Sequence, residues 1–272
     1  MHTSDVSSTW NAQLDRFFRF VAEERFFASH GNWGTPARLR FYLDSLFRRI
    51  DLKDRRVLDV GAGTGIFSVY LSSMGAEKVY ALEPEQAGSQ EKVAQRFVAL
   101  TKELRLSNIV LERKTIEDAV FVPGSFDLIL LHNCVNHFDE QACAVLHQDA
   151  RAQRKYLETF RLLNRMTKSG GLLVIADGTR HNFFDWLGLK SPLAPSINWN
   201  IHQTPQIWEA LANQAGFERE QLSWTTLGHF GRLGTWLLAN RFAAFFLLGH
   251  YALRLRKVRD DHAVENTGCC RE

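Results

Sequence analysis

Cysteine is scarce in this chain: four in 272 residues, too few to staple a fold of that length. Cys134 and Cys143 fall in the body, and Cys269 and Cys270 stand side by side in a polar tail. That spacing gives neither a pairing pattern nor a zinc site, so a reducing, cytoplasmic setting is expected. No H-E-x-x-H or cysteine cluster calls for a metal, and none is expected. Charge of one sign is equally scarce. A formal net charge of +3 is too small to argue for a nucleic-acid partner, and the clustered cations Arg254, Arg256, Lys257 and Arg259 read as a solvated strand edge. The opening residues, MHTSDVSSTWNAQ, lack the basic start and apolar run of a signal peptide, and Cys269 lacks the aliphatic neighbours of a prenylation box. Long apolar runs are missing too. The best, Phe242 to Gly249, is far short of the roughly 20 residues that cross a bilayer. No transmembrane segment is expected, and peripheral membrane contact stays open.

What is present suits a single large α/β domain. Hydrophobic residues make up 45% of the chain and charged residues 23%, enough core for a globular fold with an ordinary surface. Leu14, Phe17, Phe18 and Val21 repeat at helical spacing. Thr35-Pro36 is a helix start, a capping hydroxyl before a proline, and Leu39, Leu43, Leu46, Phe47 and Ile50 continue as one stripe. From residue 55, short apolar runs (RVLDV, KVYAL, NIVLER, FDLILL, LLVIA) alternate with helical stretches after Gly65, at 89–104 and at 140–166. Runs buried on both faces, alternating with helices, predict an open, doubly wound and mostly parallel sheet. Thr204-Pro205 starts a late helix, and QLSWTTL follows as a strand. Tyr251, Leu253 and Leu255 then alternate with Ala252, Arg254 and Arg256, predicting a last antiparallel strand at the sheet edge with one wet face.

The stretch VLDVGAGTGIFS places Gly61, Gly63 and Gly65 between the first strand and a helix. The dinucleotide fingerprint G-x-G-x-x-G would have glycine at Ile66, and no Gly-Lys-Ser/Thr closes a phosphate loop. A close-lying group without a diphosphate fits the turn better. In VYALEPE, Glu83 ends the second strand about 20 residues beyond the turn, where an acid can take two adjacent ribose hydroxyls.

Together these residues resemble the class I S-adenosylmethionine-dependent methyltransferases of small-molecule type. The resemblance continues through FDLILLHNCVNHF, LLNRMTKSGGLLVIAD and HQTPQIWEALANQAGF, covering about Lys53 to Gly216. It implies a seven-stranded sheet with an antiparallel last strand, and S-adenosyl-L-methionine as cofactor. It further implies that Asp59, Gly61, Ala62 and Gly63 face the methionine part, that Glu83 holds the ribose and that Pro84 walls the adenine. The family often has an acid at the end of the third strand for the adenine amine. Here Thr115 stands there, followed by Ile116 and Glu117, so Ile116 can pack on the ring while Thr115 or Glu117 receives the amine. His132 and Asn133 would lie beside the sulfonium.

Such chemistry needs alignment and exclusion of water more than it needs a metal. The candidate bases are His132, His137, Asp177, His181 and His202, with His137, His132 and His181 carried forward as the catalytic set. Residues 1–52 are expected as a helical cap on a methyltransferase domain at 53–257, with insertions at 181–203 and 228–246 as a substrate lid and 258–272 as a polar tail. The aromatics of these parts (Trp10, Phe17, Phe18, Phe20, Phe26, Phe27 and Trp33; Trp236, Phe242, Phe245 and Phe246) suit a small, partly apolar or lipid-like acceptor, with oxygen the leading target. An NAD(P)-dependent oxidoreductase and a silent cofactor binder are the alternatives.

Overall fold

The computed structural model describes residues 4–23, 35–84, 93–192, 197–225, 231–247 and 249–260. The loop at 29–34, Phe26, Phe27, the helix start expected at Ser89, parts of both insertions (193–196 and 228–230) and the tail from 261 lie outside them.

The chain runs α1 (Ser4–Glu23), α2 (Pro36–Leu46), β1 (Arg56–Val60), α3 (Ile66–Ser73), β2 (Lys78–Leu82), α4 (Val93–Glu103), β3 (Ile109–Glu112), β4 (Phe126–His132), α5 (Glu140–Val145), α6 (Ala150–Met166) and β5 (Thr167–Gly178). It continues through α7 (Phe183–Trp186), α8 (Pro205–Gln214), β6 (Phe217–Thr225), α9 (Gly231–Leu238), α10 (Arg241–Phe246) and β7 (His250–Lys257). The seven strands form one sheet in the order β3-β2-β1-β4-β5-β7-β6. β3, β2, β1, β4 and β5 are parallel neighbours, and β7 is antiparallel to both β5 and β6.

Each parallel strand sends alternate residues to opposite faces. Leu128 and Leu130 of β4 join Val57, Val79 and Val174 beneath α1 to α4, with Phe17, Leu39, Val69 and Phe97. Ile129 and Leu131 face the other way, with Leu58, Phe160, Trp208 and Leu211 under α6 and α8. The helix starts follow the expected chemistry. Thr35 accepts from the Arg38 N–H at 3.3 Å and Pro36 opens α2, and Thr204-Pro205 opens α8. The helix expected over 140–166 divides, because Asp149 caps a second helix by accepting from the Ala152 N–H at 2.7 Å. α1 packs along α3, while α2 carries Tyr42 up to the carboxyl edge of the sheet.

The last strand departs from expectation. β7 lies between β5 and β6, so β6 is the edge and the predicted wet face is largely covered. Arg254 is buried, its Nη2 donating to the carbonyls of Leu46 and Arg48 at 3.3 and 3.1 Å, the orphan acceptors at the end of α2. Lys257 is buried as well and donates to the Asn164 and Thr167 carbonyls at 2.8 and 2.9 Å. Two of the four cations read as solvated are therefore helix-end and loop partners; only Arg256 and Arg259 face water.

Candidate active site

The turn after β1 is held from both sides. The Ala62 N–H donates to the Leu82 carbonyl at 3.0 Å, and the Gly63 N–H donates to Glu83 Oε2 at 2.8 Å. All three glycines have positive φ, from 53° to 82°, which L side chains avoid. Their surroundings differ. A Cβ on Gly61 would stand 2.5 Å from the Cys134 Cβ, and one on Gly65 would enter the Phe97 ring at 1.8 Å, whereas one on Gly63 meets nothing within 4 Å. The bareness of Gly61 and Gly65 is thus demanded by the protein's own packing, and Gly63 alone faces open space.

Beside this turn a cleft of about 380 Å³ opens across the carboxyl ends of β1, β2 and β4. Gly61, Glu83, Pro84, Thr115, Ile116, Glu117, Asn133 and His137 of the predicted set line it, together with Lys114, Cys134 and Glu140. Three carboxylates against one ammonium make a poor seat for a diphosphate and a favourable one for a group carrying a sulfonium and an ammonium. The apolar wall of Leu82, Pro84 and Ile116 suits a flat base. By donor set and charge, the residues present fit S-adenosylmethionine.

Asp59, Ala62 and Gly63 are not among the residues lining the cleft. Asp59 is buried and accepts from Ser68 Oγ at 2.6 Å. Burial, with Glu83 adding to it against the Ser68 bond, pushes its carboxyl up to about 7. His132 ends β4, with its ring 4.0 Å from that of Phe67 and its Nε2 sharing a 3.0 Å hydrogen bond with Tyr42 Oη. Burial, and then the neighbouring His250, hold it well below the usual imidazole range. His250, at the start of β7, bonds Asn133 Oδ1 through Nε2 at 3.2 Å and is lowered to about 4 by burial. Both rings are therefore neutral at physiological pH, which keeps positive charge away from a cationic cofactor.

A second pair lies one strand further along. Asp177, fully buried at the end of β5, accepts from the Gly178 N–H at 2.7 Å through Oδ1, which is also 3.2 Å from His202 Nδ1. Asp177 Oδ2 and His202 Nδ1 have no hydrogen-bond partner. Next to them a cavity of about 460 Å³ is lined by Thr179, His181, Thr204, Gln206, Trp224, Arg241, Phe242 and Phe245, with no carboxylate among its described lining residues. The two cavities share one sheet edge. Asn133 of the first is bonded to His250, which pairs across the sheet with Gly178, the residue before Thr179 of the second.

The histidines singled out in the sequence are not brought together. His137 lies at the exposed rim of the cleft with Nδ1 2.7 Å from Glu140 Oε1, His132 packs against Phe67 and Tyr42, and His181 borders the second cavity. Sequence reading missed Tyr42, Phe67 and His250. Tyr42 follows Leu39 by three residues within the helical stripe, and that spacing was the available signal. Cys134 and Cys143 are free thiols, and among the described residues no cluster fit for a metal occurs. No described helix is long and apolar enough to cross a membrane.

The methyltransferase-domain family profile matches residues 35–222. Histone-arginine methyltransferase CARMER of Drosophila persimilis is 30% identical over 132 residues, covering 48% of this chain and 21% of that protein. Protein arginine N-methyltransferase 1 of Caenorhabditis elegans is 28% identical over 117 residues, 40% of this chain and 32% of that one. The chain spans between 15% and 32% of the length of the curated relatives it matches. Among solved structures, an S-adenosylmethionine-dependent methyltransferase from Aquifex aeolicus superposes with a TM-score of 0.55 at 19% identity, over 82% of this chain and 94% of that one. The 1,6-didemethyltoxoflavin-N1-methyltransferase of Burkholderia thailandensis, solved with its substrate and S-adenosylhomocysteine, gives 0.53 at 14% identity over 92% and 89%. These superpositions concern the fold. With the family profile spanning more than two thirds of its length, the chain belongs to the methyltransferase-domain family, the class I S-adenosylmethionine-dependent methyltransferases, with S-adenosylmethionine as its cofactor.

Proposed function

We propose that this enzyme methylates an oxygen of a small, partly apolar acceptor in the cytoplasm. The observation that carries the reading is the contrast between the two cavities on one sheet edge. The cleft beside Gly63 is lined by Glu83, Glu117 and Glu140, whereas the cavity beyond β5 is aromatic, carries Arg241 and has no described carboxylate. A cationic guanidinium acceptor, as the names of the arginine methyltransferases imply for those proteins, would find no counter-charge among the described residues lining that second cavity. An aromatic or acyl-bearing hydroxyl compound would find apolar walls.

When bound, S-adenosylmethionine supplies a methyl already activated on a positive sulfur. The chain's own part is positioning, exclusion of water and acceptance of one proton. Glu83 takes the ribose hydroxyls, Pro84 and Ile116 pack on the adenine, Thr115 or Glu117 meets its amine, and the turn from Gly61 to Gly63, with Asp59 behind it, faces the methionine end. His132, Phe67 and Tyr42 form a neutral, water-excluding wall beside Asn133. His202 accepts the hydroxyl proton at Nε2, and Asp177, 3.2 Å from Nδ1, meets the charge that the ring then carries. His137 and His181 border the two cavities as polar rim residues.

Incubating the purified chain with methyl-labelled cofactor and a panel of phenols, hydroxylated fatty acids and arginine-rich peptides tests the reading. Label should enter the hydroxyl compounds. Label confined to the peptides, or cofactor binding with no transfer to any cell-extract component, would overturn it; the second result would establish a silent binder.

A further inference from the structure

The short helices α7 and α10, both in the insertions beyond β5 and β6, carry an aromatic island that the chemistry above does not use. Phe183 is its hub, with ring centroids 6.4 Å from Trp186, 6.1 Å from Phe245 and 5.2 Å from Phe246. Phe242 joins it 5.2 Å from Phe246. The island faces water. Trp186 is 75% exposed, Phe242 76%, Leu189 55% and Phe246 40%. On α10 the residues at 242 and 246 stand on one helical face, and that face is the exposed one, while Ala244 is buried against the body. An amphipathic helix serving the core would be oriented the other way round.

Among the described residues of these two segments, Lys190, four residues beyond α7, and Arg241, the first residue of α10, are exposed cations, against the one acid Asp185. A clustered Trp and Phe surface with a basic margin is the composition of a surface that sinks into the headgroup region of a bilayer. It is also larger and more contiguous than singly scattered surface apolars, which need no explanation. The island is continuous with the second cavity, since Phe242 and Phe245 line that cavity and Arg241 stands at its wall. We propose that the α7–α10 face is a docking surface for a bilayer containing anionic phospholipid, and that it places the mouth of the second cavity at the membrane, where a lipid-like acceptor enters without crossing water. The second half of this statement rests on the proposed function; the docking itself does not.

The test is flotation of the full chain with vesicles of phosphatidylcholine alone and of phosphatidylcholine with about a third phosphatidylglycerol, with no methyl transfer read. Trp186 and Leu189 line neither cavity, so W186S/L189S is the variant. The wild type should float with the anionic vesicles, lose them as salt rises from about 0.05 M to about 0.5 M, and partition at least roughly tenfold better than the variant. Unchanged thermal unfolding and unchanged affinity for S-adenosylhomocysteine in the variant would show that its fold and cofactor site are intact. Absence of flotation, equal flotation with neutral vesicles, or full flotation by the variant overturns the proposal. So does a vesicle-free dimer that dissociates on the same substitutions, which would assign the face to a second copy of the chain. Loss of docking with hydroxyl methylation intact would leave the proposed function standing, and the reverse result would remove that function while leaving the docking surface.

Discussion

Glu83 Oε2 accepts the Gly63 N–H at 2.8 Å, so the carboxylate that ends β2 is bonded directly to the turn that ends β1. The two elements the sequence set 20 residues apart thus form one half-closed grip with the cleft between them. A hydrogen bond to a buried charged group contributes more than a neutral one, and Glu83 has only 7% of its surface exposed. Glu83→Ala should weaken binding of S-adenosylhomocysteine by about 10- to 100-fold, corresponding to roughly 1.5–3 kcal/mol. Glu83→Gln, which keeps an acceptor but not the charge, should fall between. Titration calorimetry checks this, and an affinity within twofold of wild type for the alanine variant would remove Glu83 from the site. The wild type should show no competition from NAD, because three carboxylates face the cleft.

The three glycines of the turn should separate by substitution. Gly65→Ala forces a methyl into the Phe97 ring at a backbone φ of 82°, in the centre of the core beneath α3. It should lower the melting temperature by well over 10 °C, or prevent folding, since overpacking and left-handed strain each cost about 1–3 kcal/mol. Gly63→Ala meets no neighbour and carries only the strain of φ 53°, about 1–2 kcal/mol. It should melt within several degrees of wild type yet lose cofactor affinity. Thermal melts with and without S-adenosylhomocysteine distinguish the two; equal destabilisation would mean that the open space at Gly63 is not where the cofactor lies.

The contrast shows where sequence reading reaches and where it stops. The strands were legible because β1 and β4 are short, mostly apolar runs with helices on either side, and the helix starts at Thr35 and Thr204 because a threonine followed by proline is a local signal. The reason for each glycine was not legible. It depends on Cys134 and Phe97, which are far away in the chain and come close only in the folded sheet. Arg254 is the same case in reverse. Its alternation with Leu253 and Leu255 is the pattern of a wet strand face, but its guanidinium is claimed by carbonyls at the end of α2, 208 and 206 residues away. Of the histidines at the carboxyl edge of the sheet, His132 was singled out through its place in a motif. His250 was missed, because nothing local marks the first residue of a strand as the partner of Asn133.

Asp59 should give the fold a pH dependence. Its carboxyl is raised from 3.8 to about 7 by burial, so between these values the folded chain binds more protons than the unfolded one. Stability from this group is complete below pH 3.8 and is lost as pH rises toward and through 7, at up to about 1.4 kcal/mol per pH unit. Asp59→Asn, which keeps an acceptor for Ser68 Oγ, should flatten that slope. Urea unfolding at intervals from pH 5 to 8, on about one-unit steps, measures it. Parallel slopes for wild type and variant would mean the carboxyl is ionised throughout.

The proton route makes the last prediction. Asp177 is fully buried and its Oδ1 lies 3.2 Å from His202 Nδ1, near enough to stabilise an imidazolium although His202 Nδ1 makes no hydrogen bond. A base positioned this way contributes about 10²- to 10⁴-fold to a hydroxyl's methylation. His202→Gln should lower kcat by that range. Asp177→Asn removes the charge that meets the ring once it has taken the proton, so it should reduce kcat by a smaller factor. Both variants should keep wild-type affinity for S-adenosylhomocysteine, because neither residue lines the first cleft. If His202→Gln retains kcat, proton acceptance lies elsewhere, and His181→Gln, at the wall of the second cavity, is the variant that should then lose it.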